Sequence, residues 1–67
     1  MALDRVKQHK LYQTSMVQFW ENNLSHIERD QAISQYVRRR ENLDDLTPDE
    51  KEYIALLKEH LVEEWGV

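Results

Sequence analysis

Cysteine is absent from this 67-residue chain, and glycine and proline occur once each, at Gly66 and Pro48. Without cysteine, the chain has neither a disulfide nor a thiolate ligand for zinc. With so little glycine and proline, the turns of β-hairpins are hard to place, and no segment alternates apolar and polar residues as a half-buried strand does. These absences favour an all-α fold.

The chain also lacks a long apolar run and an excess of positive charge. Its longest apolar run, Tyr53–Leu57, is far shorter than the roughly 20 residues that span a bilayer. Residues 1–10 are charged, and no apolar segment typical of a signal peptide follows them. The net charge of −4 disfavours binding to nucleic acid or to anionic membranes. We therefore expect a cytoplasmic protein that binds no membrane and for which nucleic acid is a disfavoured partner.

The clearest helix signal is the segment Thr47-Pro48-Asp49-Glu50. Thr47 suits the N-cap, Pro48 suits the first helical position, and Glu50 completes a capping box. A helix over residues 48–65 follows, and Gly66 suits the position after its end. Its core-facing residues are Tyr53, Ile54, Leu57, His60, Leu61 and Trp65, with Leu56 and Val62 on opposite flanks.

Two further helices are predicted before it, over residues 4–23 and 26–42. Ser25 and Glu28 have the spacing of a capping box, which separates the two helices. At about 100° per residue, the inner side of the first helix comprises Val6, His9, Tyr12, Gln13, Met16, Phe19, Trp20 and Leu24, with Val17 at its edge. The inner side of the second helix comprises Arg29, Ala32, Ile33, Tyr36, Val37, Arg40 and Leu43.

Three helices with short loops predict a small antiparallel three-helix bundle, with residues 1–67 as a single helical domain. The rival interpretation fuses the first two helices into one of roughly 38 residues, because neither glycine nor proline separates them. Such a helix would require a dimer. A chain of this size buries only about 60% of its unfolded surface, so a partner or a second copy would add stability.

The residues that commonly carry chemistry form no recognisable catalytic or metal-binding pattern. His9, His26 and His60 lack the Glu-x-x-His spacing of helical metal sites. The arginine run at 38–40 spreads around its helix and suits a helix C-terminus. No glycine-rich phosphate loop is present. We therefore expect no enzyme activity, no metal and no cofactor.

The remaining features predict a small non-enzymatic protein-interaction or regulatory module, of the kind found among bacterial or phage accessory proteins. It would act through an acidic helical surface with apolar anchors. Trp65 is expected to pin the last helix onto the first, with an exposed anchor as the alternative. The predicted partner-binding residues are Leu56, Val62, Trp65, Leu11, Arg38 and Arg39.

The predicted partner is another protein of unknown identity, and a homodimer stays open. One alternative is a dimeric nucleic-acid-associated regulator that uses Arg38 and Arg39 together with Lys7 and Lys10. Another is a self-assembling structural subunit.

Overall fold

The computed structural model describes residues 1–66, and the regular elements of this part of the chain are all helical. The all-α prediction is confirmed for these residues. Val67 lies outside the described residues. The helices pack into a body of 31 × 25 × 20 Å. In chain order the elements are α1 (Ala2–Gln8), a 3₁₀ turn (Tyr12–Thr14), α2 (Met16–Asn23), α3 (His26–Glu41) and α4 (Pro48–Trp65).

The last two helices begin and end close to where the sequence places them. At the start of α4, Oγ1 of Thr47 accepts from the Glu50 N–H, and Oε1 of Glu50 accepts from the Thr47 N–H, both at 3.2 Å. Ser25 and Glu28 make the same reciprocal pair at the start of α3. Gly66 ends α4 with a φ of +71°, the left-handed conformation that glycine adopts without strain. Both capping-box predictions are confirmed.

The predicted helix over residues 4–23 is wrong, because the structure divides it into α1 and α2. The chain leaves the helical conformation at His9, whose ψ is 142°, and again at Ser15, whose ψ is 160°. Between them, Thr14 Oγ1 donates to the Leu11 carbonyl and Ser15 Oγ donates to the Tyr12 carbonyl. Such local bonds from hydroxyls offer the backbone an alternative to a continuous helix.

Ser15 also ties this break to α4. Its hydroxyl proton goes to the Tyr12 carbonyl, so the Tyr53 hydroxyl donates to Ser15 Oγ, at 2.8 Å. Tyr53 is 1% exposed, and this bond satisfies its one polar atom. The break in the predicted helix therefore coincides with a tertiary contact, between Ser15 and Tyr53, that helical periodicity cannot predict.

The alternative prediction, in which the first two predicted helices are fused into one long helix, is also wrong. Leu24 and Ser25 are both extended, with ψ of 157° and 163°, so α2 and α3 are separate helices. The Ser25 capping box starts the new helix at His26. The described chain therefore has four α-helices rather than the three of the predicted bundle.

The core lies where α4 packs against α1 and α3, and α2 also packs against α3. Its buried apolar residues are Val6, Tyr12, Val17, Ile33, Val37, Tyr53, Ile54 and Leu57. Met16 and Phe19 were predicted to face inward, yet each is 55% exposed. The break at residues 9–15 resets the orientation of α2, so Val17 faces the core instead of lying at its edge.

Three further residues predicted to face the core are exposed, namely Gln13, Arg40 and Leu43. The guanidinium of Arg40 lies over the Tyr36 ring, 5.5 Å from its centroid, and 3.7 Å from Glu50. The aromatic face thus holds this charge at the surface. Leu43 lies in the loop after α3 and is 46% exposed.

Replacing Tyr53 with phenylalanine tests the contact that joins the helix break to α4. Burial raises the pKa of Tyr53 to about 12, because desolvation disfavours the charged phenolate. Because the folded pKa lies above the ordinary value of 10.0, the phenol stabilises the fold below pH 10 and loses this contribution as the pH rises towards 12. We expect Tyr53→Phe to cost about 1 kcal/mol at pH 7.

Urea denaturation of both proteins between pH 7 and pH 12 measures this contribution. The difference in unfolding free energy between the wild type and Tyr53→Phe should shrink above pH 10. A difference that stays constant over this range would contradict the buried, hydrogen-bonded phenol.

Candidate functional site

The carboxylate of Asp30 lies buried between α3 and α4 and accepts hydrogen bonds from three side chains. Asp30 is 3% exposed. Its Oδ1 accepts from Nε of Arg29 and from Nε2 of His60, both at 2.9 Å. Its Oδ2 accepts from Nη2 of Arg29 at 3.3 Å and from Nε1 of Trp65 at 3.0 Å. Both oxygens are fully used, as the burial of a charged group requires.

This arrangement fixes which nitrogen of His60 carries a proton. An ionised carboxylate only accepts hydrogen bonds, so His60 donates through Nε2–H. Nη2 of Arg29 lies 3.4 Å from the same nitrogen, but both atoms carry protons and no hydrogen bond joins them. His60 is 2% exposed, which confirms its predicted place in the core.

The ion pairs continue from Arg29 to the two N-terminal helices. Nη1 of Arg29 donates to Oε2 of Glu21 on α2 at 2.7 Å, and Lys7 on α1 lies 3.0 Å from Oε1 of Glu21. The connected side chains therefore come from all four α-helices of residues 1–66. We call this set the Asp30 network: Lys7, Glu21, Arg29, Asp30, His60 and Trp65.

Burial and hydrogen bonding act in opposite directions on the acids of the Asp30 network. Desolvation favours neutral Asp30, whereas hydrogen bonds from Arg29, His60 and Trp65 favour its carboxylate and hold its pKa below the ordinary 3.8. Desolvation also opposes ionisation of Glu21, but hydrogen bonds from Arg29 and Lys7 outweigh it and hold its pKa below 4.5. Both groups therefore stay charged at neutral pH.

A cavity of about 280 Å³ opens beside the Asp30 network, between α3 and the end of α4. Ile27 and Trp65, on opposite walls, remain 59% and 52% exposed and give the cavity an apolar mouth. The Trp65 ring was expected to pin α4 onto the first helix, but its N–H is bound to Asp30 on α3 instead. The residues that line the cavity are Ile27, Asp30, Gln31, Ser34, Leu61 and Trp65.

A second cavity of about 280 Å³ lies further along the two helices. α3 and α4 are antiparallel, since Asp30 meets His60 and Arg40 meets Glu50. Successive lining positions on each helix are mostly three or four residues apart, so the two cavities share one side of the helix pair. We call this surface the α3–α4 groove. The second cavity is lined by Glu41, Leu43, Leu46, Lys51, Ile54, Ala55 and Lys58.

One of the predicted partner-binding residues lines this groove, and two others lie beside it. Trp65 lines it directly. Val62 lies one helical turn after the lining residue Lys58, at the edge of the groove, and is 52% exposed. Arg38 is exposed and lies one helical turn after Ser34, on the groove side of α3.

The other three predicted residues lie elsewhere. Leu11 and Leu56 are partly buried, pack against the core and line neither cavity. Arg39 is exposed on the adjacent side of α3, and its Nε donates to the Gln35 carbonyl at 3.4 Å.

The histidines do not converge on one site. His9, at the end of α1, donates from Nε2 to Glu52 of α4 at 2.9 Å, while its Nδ1 accepts from the Leu11 N–H. His26 is exposed at the start of α3. Within residues 1–66, histidine and acidic side chains form no group of three that could hold a metal ion.

Asp30 is the site residue that sequence reasoning missed. It lies three residues before Ile33 and seven before Val37, so helical spacing alone places it on the buried side of α3. Arg29 and His60 were both predicted to face the core, and two buried cationic or polar groups require an acceptor. This need for a buried acceptor was the signal in the sequence that could have identified Asp30.

Comparison of the chain with protein-family models, with curated proteins and with solved structures gives no match. The interpretation of the groove and of the Asp30 network therefore depends on their own geometry and chemistry.

Replacing Glu21 with glutamine tests the Asp30 network at its less buried end. The change leaves Arg29 with one anionic partner instead of two, and we expect a loss of about 2 kcal/mol at pH 7. Because the folded pKa of Glu21 lies below its ordinary value of 4.5, its carboxylate stabilises the fold above that pH and ceases to do so as the pH falls further. The wild type should therefore lose more stability than Glu21→Gln between pH 5 and pH 3.

Urea denaturation across this range makes the comparison, with Asp44→Asn in the exposed loop after α3 as the control. Asp44→Asn should follow the wild type. Equal acid sensitivity in the wild type and Glu21→Gln would contradict the described role of Glu21.

Proposed function

We propose that this protein is a small non-enzymatic interaction module that binds a partner protein in the α3–α4 groove. The observation that carries the proposal is the half-exposed Trp65 ring, held by its bond to Asp30 beside the exposed Ile27. Tryptophan is enriched among the residues that dominate binding energy at interfaces. A ring that is already fixed loses little freedom on binding, which favours affinity.

The form of the groove supports a protein partner over a small substrate. Each cavity is open and small, at about 280 Å³, near the lower limit of the roughly 300–1,000 Å³ typical of small-molecule pockets. The cavities open along one side of a helix pair, where the side chains of a partner can enter both. We place this partner in the cytoplasm.

The state of Asp30 supports a non-enzymatic function. A general base needs an oxygen that can reach a substrate proton. Both oxygens of Asp30 already accept two hydrogen bonds each. The carboxylate therefore positions Trp65 and leaves no acceptor free for chemistry.

Two features weigh against the nucleic-acid alternative. Lys7 and Lys10 were expected to join the arginines of α3, but Lys7 lies 3.0 Å from Glu21 and Lys10 lies 2.6 Å from Asp49. Cations paired with carboxylates contribute little to phosphate binding, which depends on the release of counterions.

A photo-crosslinking amino acid at position 27, expressed in cells, tests the proposal. The same amino acid at Phe19, which is 55% exposed on α2, is the matched control. We expect position 27 to give one dominant adduct with another protein and position 19 to give none. Adding Trp65→Ala should reduce the adduct by roughly tenfold or more, as expected for a binding hot spot.

Trp65→Ala also removes a donor from Asp30, so Val62→Asp serves as a second variant at the exposed edge of the groove. It should weaken the adduct without affecting the helix content measured by circular dichroism. An adduct of similar yield at both positions, or one insensitive to both variants, would contradict the proposal. An adduct with a second copy of this chain would favour the self-assembling subunit instead.

A further inference from the structure

We infer that His9 is a pH-sensitive switch: when its ring gains a second proton, the chain between α1 and the 3₁₀ turn opens at Leu11. The switch lies where α1 meets α4 and involves none of the residues that line the α3–α4 groove. Its basis is the bonding of the ring, because the two nitrogens have opposite roles and hold two different segments of the chain.

The contacts of the His9 ring are compatible with only one neutral tautomer. The Leu11 N–H is a donor and lies 3.2 Å from Nδ1, so Nδ1 must present its lone pair. The ring proton therefore lies on Nε2, which donates to Oε1 of Glu52 at 2.9 Å. The side chain of His9 is only 7% exposed, so both hydrogen bonds are largely shielded from water.

Protonation of this ring is incompatible with its hydrogen bond to Leu11. A second proton can enter only at Nδ1, because Nε2 already carries one. The Nδ1–H and the Leu11 N–H would then face each other as two donors, and the backbone N–H would lose its acceptor. Histidine is the residue that usually changes charge between pH 5 and 8, so this exchange of partners can occur in mildly acidic solution.

The contacts with α4 hold the charged ring in place, so the segment at Leu11 is the part that moves. The rings of His9 and Tyr53 lie 5.1 Å apart, and an aromatic ring attracts a cation within about 6 Å of its face. The bond to Glu52 gains strength when its donor becomes charged. The phenols of Tyr12 and Tyr53 add no charge, since tyrosine is neutral between pH 5 and 8.

A cation at His9 would complete a row of ion pairs between the N-terminal segment and α4. Lys10 lies 2.6 Å from Asp49, and Arg5 lies 3.6 Å from Glu59. Glu52 lies between these two acids in α4, yet its donor is a neutral ring. Protonated His9 therefore gives Glu52 a cationic partner like those of its neighbours. The acidic residues of α4 that contact this segment are Asp49, Glu52, Glu59 and Glu63, the last by accepting from the Ala2 N–H at 3.1 Å.

Movement of Leu11 reaches the start of the 3₁₀ turn. Leu11 is the N-cap of this turn and packs against the core in a partly buried position. Its carbonyl accepts from both the N–H and the hydroxyl of Thr14. The surface formed by residues 9–14 therefore differs between neutral and mildly acidic solution, whereas the α3–α4 groove keeps its form.

Two variants of the full chain at position 9 separate the roles of the two ring nitrogens. In His9→Asn, the side-chain oxygen takes the place of Nδ1 and accepts from the N–H two residues on, as asparagine commonly does. In His9→Gln, the longer side chain donates to Glu52 in place of Nε2 and leaves the Leu11 N–H without its acceptor. Neither amide side chain titrates, so each variant holds one of the two bonds at every pH.

The measurement is ¹⁵N NMR of the His9 ring together with hydrogen exchange of the Leu11 amide, between pH 5 and 8. Exchange is expressed as protection relative to an unfolded peptide at the same pH. We expect Leu11 protection in the wild type to fall roughly tenfold as the His9 ring titrates, which corresponds to the loss of about one hydrogen bond. Protection should stay high in His9→Asn and low in His9→Gln throughout. His26→Gln, at an exposed position in α3, is the control and should follow the wild type.

Four results would each overturn the switch. They are a neutral His9 ring with its proton on Nδ1, a ring that stays neutral down to pH 5, Leu11 protection that is unchanged while the ring titrates, and a loss of protection in His9→Asn equal to that of the wild type. If His9→Gln fails to fold, the wild type and His9→Asn alone still distinguish these results from the expected one.

Discussion

A buried carboxylate in a 67-residue chain is a severe constraint, and the rest of the structure depends on how it is met. Leaving such a charge unpaired costs several kcal/mol, a large part of the stability of a small domain. Asp30 obtains its donors from Arg29 beside it and from His60 and Trp65 on α4, while Arg29 reaches Glu21 and, through it, Lys7. Arrangements of the helices that separate these groups leave charges buried and unpaired. The network therefore favours one packing over its competitors.

The hydrogen bond from the Trp65 indole to Asp30 connects the stability of the fold to the proposed function. Trp65 is the last residue of α4, and its side chain is 52% exposed. The acceptor on α3 holds it in place, and Ile27, on the same helix as Asp30, forms the opposite wall of the cavity. Changes that perturb Asp30 should therefore alter the groove as well as the fold.

Local sequence signals predicted the fold where local interactions determine it. The capping boxes at Ser25 and Thr47 placed the starts of α3 and α4, because each uses atoms three residues apart. The first predicted helix failed at His9–Ser15, where Tyr53 and Glu52, about forty residues away in sequence, hold Ser15 and His9. Hydrophobic periodicity carries no information about such contacts between distant segments. For the same reason the orientation of α2, and with it the exposure of Phe19, was predicted incorrectly.

The candidate site was predictable only in part. Trp65, Val62 and Arg38 were identified as single residues, but the groove that relates them depends on how α3 packs against α4. Asp30 was missed because two of its three donors, His60 and Trp65, belong to α4 and meet it only in the folded chain. The acidic surface of α4 was expected to bind a partner, yet its contacts with α1 became visible only in the folded chain.

Hydrogen exchange of the Trp65 indole N–H and the His60 ring N–H, followed by ¹⁵N NMR at pH 7, tests the central claim most directly. If Asp30 accepts both protons in a buried site, both signals should be visible and should exchange much more slowly than those of a free indole and a free imidazole. A His60 ring proton lost to rapid exchange, together with a Trp65 indole that exchanges at the free rate, would contradict the Asp30 network as the organising interaction.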